Sequence, residues 1–252
     1  MLKSTFLHIP GIGADTECQI WKNDILSWDD FLENYHKLQL CSSKKELIHS
    51  HIRRSINAYD NKDYQFFCRN MPGRLHWRAY KELKDNCCFL DIETTGLDKH
   101  HDEITLIGLY DGKDSRFFVN GKNLEEFKDA VKDYAMIVTF NGKCFDLPFI
   151  KAKHPNISFD KFHVDLRFAM RELGYSGGLK RIEKLVGIDR GDELEEVDGF
   201  EAVRLWYKYK RGDNSALELL LRYNQADIEN LKILMEFTFE KLKEKEFLSV
   251  IP

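Results

Sequence analysis

The chain has 252 residues, 43% of them hydrophobic and 32% charged, with a formal net charge of −4. That length suits one large domain, or a catalytic domain with a smaller extension. The acidic balance speaks against a protein that coats nucleic acid, though not against a nuclease whose acidic pocket is offset by a basic rim.

Residues 1–84 and 85–252 differ in character and are read as two domains. The first is a mainly helical extension, with helical patterns over Asp15–Asn23, Trp28–Leu38 and Lys44–Tyr59 and a turn at Arg69–Gly73. The second opens with the apolar run Cys87–Glu93, which predicts a buried strand. Strands at Ile104–Tyr110 and Arg116–Val119 follow, joined by a hairpin turn at Asp111-Gly112. Next come a helix over Leu124–Tyr134, a strand at Met136–Phe140, a helix around Phe145–His154 and a short strand near Phe162–Leu166. Helices fill the rest, the clearest running from about Leu217 to Glu246. Strands first, then strands alternating with helices, imply an α/β fold with a mixed sheet covered by helices. No apolar run could span a bilayer, and no charged-then-apolar leader ends at a small-residue cleavage site, so a cytoplasmic protein away from membranes is expected. Six cysteines include no C-x-x-C pair, so neither a zinc site nor a disulfide framework is indicated; reduced, mostly buried thiols are expected.

Three segments place acids where a core should be apolar. Asp91 and Glu93 are two apart on a strand, so both emerge on one face. At an effective dielectric near 20, two such charges ~5 Å apart repel by about 3 kcal/mol, and a divalent cation is the usual remedy. Asp146 begins a helix just beyond the strand Met136–Phe140, where it is either a helix cap or part of an acidic site. Asp227 falls on the apolar stripe Leu220, Leu221, Ile228, Leu231, Leu234 and Met235 of the last helix, one turn from Tyr223. A carboxylate there needs a partner, either a structural bond or a shared metal.

Taken in order, Asp-Ile-Glu-Thr-Thr-Gly-Leu (91–97), Asn-x-x-x-Phe-Asp (141–146) and Tyr-x-x-x-Asp (223–227) closely resemble the three exonuclease motifs of the DEDD, or DnaQ-like, superfamily. Arg222 stands where the histidine subclass needs His, while Tyr223 fits the tyrosine subclass, DEDDy. Asp165 matches neither pattern and is read as structural, near the site. The resemblance implies a ribonuclease H-like fold, with a mixed five-stranded sheet flanked by helices. It also implies a 3′–5′ exonuclease that uses two divalent ions, Mg²⁺ or Mn²⁺. Asp91 would bridge both ions, Glu93 and Asp227 would hold the one on the nucleophile side, and Asp146 would help hold the second. Tyr223, with a reference pKa about 10, would orient the attacking water rather than act as a base.

In that family the loop carrying Thr94, Thr95 and Leu97 touches the terminal nucleotide; ordinary turn chemistry is the other reading for each. Asn141 either bonds across the site or closes a turn. Ser176–Arg181 opens a helix with two glycines and two cations, so Lys180 or Arg181 could track a phosphate backbone, or simply lie on a solvated helix start. His100-His101 read as solvent-facing. Ile9-Pro10-Gly11-Ile12-Gly13 resembles the Gly-rich turn of helix-hairpin-helix DNA-backbone binders, but only eight residues precede it, so it is half a motif, and a capped helix start that packs on the catalytic domain is the favoured reading. With this piece in front, the chain looks like the ribonuclease H-like family typified by the bacterial protein YprB. The leading expectation is a monomeric exonuclease acting on the 3′ end of DNA or RNA. A nucleic-acid-binding module without turnover and a small-nucleotide or dinucleotide phosphodiesterase stay open beside it.

Overall fold

The computed structural model describes residues 1–190 and 198–251. The chain forms two compact units. One comprises Met1–Lys84, Asp160–Phe162 and Phe239–Pro252; the other comprises Asp85–Phe159 and His163–Thr238.

The first unit is helical, with α1 (Ala14–Trp21), α2 (Trp28–Asn34), α3 (Ser42–Asp60), α4 (Tyr64–Asn70) and α5 (Tyr80–Leu83). Gly11, at φ +80°, makes the turn into α1, and only a 3-10 turn (Leu2–Ser4) precedes it. Ser27 ends the linker before α2 by accepting from the Asp30 amide. The helix read as Trp28–Leu38 stops at Asn34 and tightens into a 3-10 turn, Tyr35–Lys37. Arg69 and Asn70, read as turn, are the end of α4. Trp21, Trp28, Phe6, Phe31 and Phe67 are fully buried, and the Trp28 and Phe67 rings stack at 5.5 Å. Both Trp21 and Trp28 donate their indole N–H to backbone carbonyls, of Ser4 and Thr5, so these large apolar bodies leave no orphan donor.

A buried ion pair runs through the same unit. Arg78 donates to Glu17 Oε2 at 2.8 Å and to Glu246 at 2.9 Å, while the Phe6 amide and the Thr5 hydroxyl also donate to Glu17.

The second unit is built on a five-stranded sheet in the order β3-β2-β1-β4-β5: β1 Cys87–Thr94, β2 Ile104–Tyr110, β3 Ser115–Val119, β4 Met136–Thr139 and β5 Phe162–Asp165. β1 runs antiparallel to β2 and parallel to β4, so the sheet is mixed as expected. The helices are α6 (Phe127–Ala130), α7 (Asp146–Lys153), α8 (Leu166–Glu172), α9 (Leu179–Val186), α10 (Gly199–Lys210) and α11 (Asn214–Lys243). Strands buried on both faces read as continuous apolar runs. Cys88, Leu90 and Ile92 pack on one side with Phe127, Phe149 and Ile150. On the other, Leu106 and Val119 meet Leu205 and Trp206 of α10 and Leu220 and Tyr223 of α11.

The helix expected over Leu124–Tyr134 is shorter, a 3-10 turn (Leu124–Glu126) and then α6. Apolar spacing alone did not show that the chain must turn before β4, where the Ala135 amide bonds the Asn86 carbonyl. Cys87 and Cys88 are buried, but Cys41 and Cys144 are exposed and Cys18 and Cys68 only half-buried, so the thiols are not mostly buried. All six are free. Among the described residues no helix is long and apolar enough to cross a membrane.

Candidate active site

The site begins with the alternation of β1. Its odd positions Asp91 and Glu93 face the same side as their partners across the strand pair, Gly108 and Leu106, which is the side covered by α11. The register shifts between Glu93 and Thr94, a bulge that ends the ladder just beyond the second acid. From above, α11 delivers Asp227 to the same spot. One carboxylate oxygen each from Asp91, Glu93 and Asp227 lie within 4.8 Å of one another.

Asp146 is the first residue of α7, and Phe145, not Asp146, stands at the N-cap position. Its Oδ1 accepts from the Ile92 amide at 3.2 Å, which holds it against β1 between the two strand acids in sequence. Asp146 is outside the group of three, yet its charge acts on both Asp91 and Glu93. Asp165 serves this corner structurally: it caps α8 and accepts from the Asn141, Lys143 and Arg167 amides at 2.8, 2.9 and 3.1 Å. The loop 141–145 therefore hangs on one carboxylate.

Burial of like charges appears directly in the acidities. Desolvation, then the neighbouring carboxylates, push Asp91 and Glu93 well above the usual carboxylate range, while a hydrogen bond from Asn224 pulls Glu93 part of the way back. Burial raises Asp146 to about 7 against the pull of its backbone hydrogen bonds, and raises Asp227 to about 6 against the pull of Arg190. Burial next to the acids also lifts the Tyr223 phenol far above its ordinary value, so it stays protonated and can only donate to an anion. A crowd of buried carboxylates that resists ionisation fits a hard divalent cation. The donors are all oxygen, without the thiolate or imidazole that softer metals favour.

The matched sequence family decides where this arrangement belongs. A model of the RNase_H superfamily matches residues 88–238, which include the whole sheet except Cys87 and every residue discussed so far in this site. The chain belongs to the RNase_H superfamily. Its α/β architecture is accordingly the ribonuclease H-like one, a mixed five-stranded sheet flanked by helices with a helical N-terminal region. The chain is also 30% identical over 186 residues to the protein YprB of Bacillus subtilis, a match over 64% of this chain and 44% of YprB. It thus spans less than half the length of that relative. Solved structures similar to the chain include the following. A family B DNA polymerase from Pyrobaculum calidifontis is 18% identical, over 63% of this chain and 24% of the polymerase, with a TM-score of 0.49. Brucella melitensis NrnC bound to pGG is 16% identical, over 68% and 80% of the two chains, with a TM-score of 0.44. The Aedes aegypti Nibbler EXO domain is 12% identical, over 68% and 85%, with a TM-score of 0.46.

Around the acids of this RNase_H superfamily domain, the other singled-out residues fall at different distances. Tyr223 is one turn from Asp227 on α11, and the Lys180 ammonium lies 5.2 Å from its ring centre. Burial and then nearby Arg190 make the Lys180 ammonium more acidic than usual, lowering its pKa. Thr94 and Thr95 spend their hydroxyls inside the turn, Thr94 donating to the Gly96 carbonyl at 2.6 Å and Thr95 to Asp102. Leu97 is 85% exposed at the tip of that turn. Asn141 adopts the left-handed conformation, φ +65°, and its Oδ1 accepts from Arg167, so it closes the loop. His101 is exposed and paired with Asp98.

Sequence reasoning missed two neighbours of the cluster. Arg190 is buried, forks onto both oxygens of Glu183 at 2.5 Å, and forms an ion pair with Asp227. A lone arginine after α9 carries no pattern that would have marked it. Asn224, fully buried, donates to Asp91 at 2.9 Å. Its signal was legible: an amide beside Tyr223, one turn from Leu220 on the apolar stripe.

Proposed function

We propose that the chain is a metal-dependent 3′–5′ exonuclease of the tyrosine subclass, with residues 85–252 as its catalytic domain and 1–84 as an extension. The convergence of half-buried Asp91 with buried Glu93 and Asp227 within 4.8 Å carries the reading. Two divalent ions, magnesium or manganese, would supply the positive charge that acidifies an attacking water and stabilises a leaving 3′ oxygen. Asp91 would face both ions, Glu93 and Asp227 the nucleophile side, and Asp146 the leaving-group side. Tyr223, held protonated, would orient the water by donating a hydrogen bond. Leu97, standing in solvent next to the site turn, would rest on the terminal base. The amides of Thr94 and Thr95 rather than their engaged hydroxyls would meet the sugar. Lys180 would meet a phosphate, and Asn141 would keep its loop in shape for the strand.

The test is incubation of the full chain with 5′-labelled single-stranded DNA, duplex DNA, RNA and the dinucleotide pGG, in Mg²⁺, Mn²⁺ or EDTA. The expected result is a ladder that shortens from the 3′ end with metal and none with EDTA. Binding without cleavage in every metal would overturn the proposal.

A further inference from the structure

Asn224 is a polar side chain with no exposure, on the stripe of α11 that otherwise carries Leu220, Ile228 and Leu231. A leucine would suit that stripe, so the amide calls for a reason. The reason lies on the facing strand. Gly108 pairs with Asp91 across the β1–β2 ladder, and a Cβ at Gly108 would come within 1.8 Å of Asn224 Oδ1. The place of the missing side chain is thus taken by the amide oxygen, which has no hydrogen-bond partner among the described residues. Seated this way, the amide nitrogen points back at the strand acids. Nδ2 donates to Asp91 Oδ2 at 2.9 Å, and the same side chain is near enough to Glu93 to pull its raised pKa part of the way down.

We infer that Asn224, seated against Gly108, is a positioning residue of the candidate metal site: its amide fixes Asp91 and Glu93 so that their free oxygens face a divalent ion. The inference rests on the metal-site reading above. An amide donor is suited to the task, because it bonds a carboxylate without adding a charge to the crowd and can never itself ligate through that nitrogen. The same helix delivers Asp227 one turn further on, and its carboxylate comes within 4.8 Å of those of Asp91 and Glu93. Partners that orient ligating carboxylates in this way govern affinity for the ion rather than the shape of the substrate cleft.

The measurement is Mn²⁺ affinity of the full chain, read by electron paramagnetic resonance, in the wild type, Asn224→Leu, Asn224→Ser and Gly108→Ala. Asn224→Leu keeps the volume and removes the donor; Gly108→Ala leaves every polar group in place and unseats the amide. Both are expected to bind Mn²⁺ about 10- to 100-fold more weakly. Cleavage should recover as Mn²⁺ is raised, with KM for the oligonucleotide unchanged. Folded variants that hold Mn²⁺ within about twofold of wild type would overturn the inference. If Gly108→Ala or Asn224→Leu does not fold, Asn224→Ser alone decides by the same criterion. A metal-free readout separates this inference from the reading beneath it. The Asn224 side-chain amide protons should exchange slowly in the wild type, observed by NMR, and rapidly in Gly108→Ala. A wild type that binds no Mn²⁺ sinks the metal reading, whereas rapid exchange of that amide sinks the role of Asn224.

Discussion

Both units bury carboxylates, and they handle them in opposite ways. In the helical unit Glu17 meets Arg78 at 2.8 Å, takes further donors from Phe6 and Thr5, and shares its arginine with Glu246. The fully buried pair Glu17–Arg78 is matched one to one, and Glu246, which shares the arginine, keeps contact with solvent. In the sheet unit Asp91, Glu93, Asp146 and Asp227 crowd together, and the nearest cation, Arg190, is already forked onto Glu183. Negative charge is left over. The difference teaches that a buried charge is by itself no sign of function; an unbalanced one is.

Four experiments press on that contrast. Removing an acid from the unbalanced site has the largest expected effect: Asp91→Ala should lower cleavage by roughly 10³-fold or more, the worth of several kcal/mol of lost charge stabilisation, with folding intact by circular dichroism. Breaking the balanced pair should act on stability instead. Arg78→Leu strands Glu17 and should cost about 3–5 kcal/mol in a urea melt, leaving the Mg²⁺ dependence of the sheet unit unchanged. Third, neutralising Asp146 should stabilise the metal-free protein. Its carboxyl ionises at about 7 when folded, against about 3.9 in an unfolded chain. Between those values the folded state holds a proton the unfolded chain has released, so metal-free stability falls as pH rises from about 4 to about 7. Asp146→Asn should melt higher than wild type at pH 7.5 in EDTA and flatten that slope; a lower melting temperature would contradict the excess of charge. Smallest is Tyr223→Phe, expected to cost about tenfold in turnover, the worth of one hydrogen bond of about 1.4 kcal/mol. Loss as complete as in Asp91→Ala would contradict an orienting role.

The sequence made the elements of this contrast visible to different degrees. Strands β1 and β2 and the long α11 were readable because apolar runs and helical stripes are local patterns. The pairing of Asp91 with Glu93 followed from the two-residue period of a strand, and Asp227 stood out against its stripe. Asp146 was ambiguous in sequence, since a helix start explains an aspartate as well as an acidic site does; its bond to the Ile92 amide exists only in three dimensions. Arg190 and the seat of Asn224 on Gly108 were hidden for the same reason, being contacts between elements far apart in the chain. The helix over Leu124–Tyr134 was overextended because periodicity says nothing of where the next strand starts.

Asp165 is a tether beside the acidic group, not one of its members. Three main-chain amides converge on its carboxylate, and the left-handed bend at Asn141 depends on that anchor. A survey that scores only loss of the proposed activity would therefore place Asp165 with the acids of the candidate site. Its expected signature is of another kind: without it the stretch leading to Asp146 should lose its mooring and the melting temperature should fall, whereas neutralising Asp146 should raise it. Tolerance to heat, more than inactivation, tells a tether from a participant.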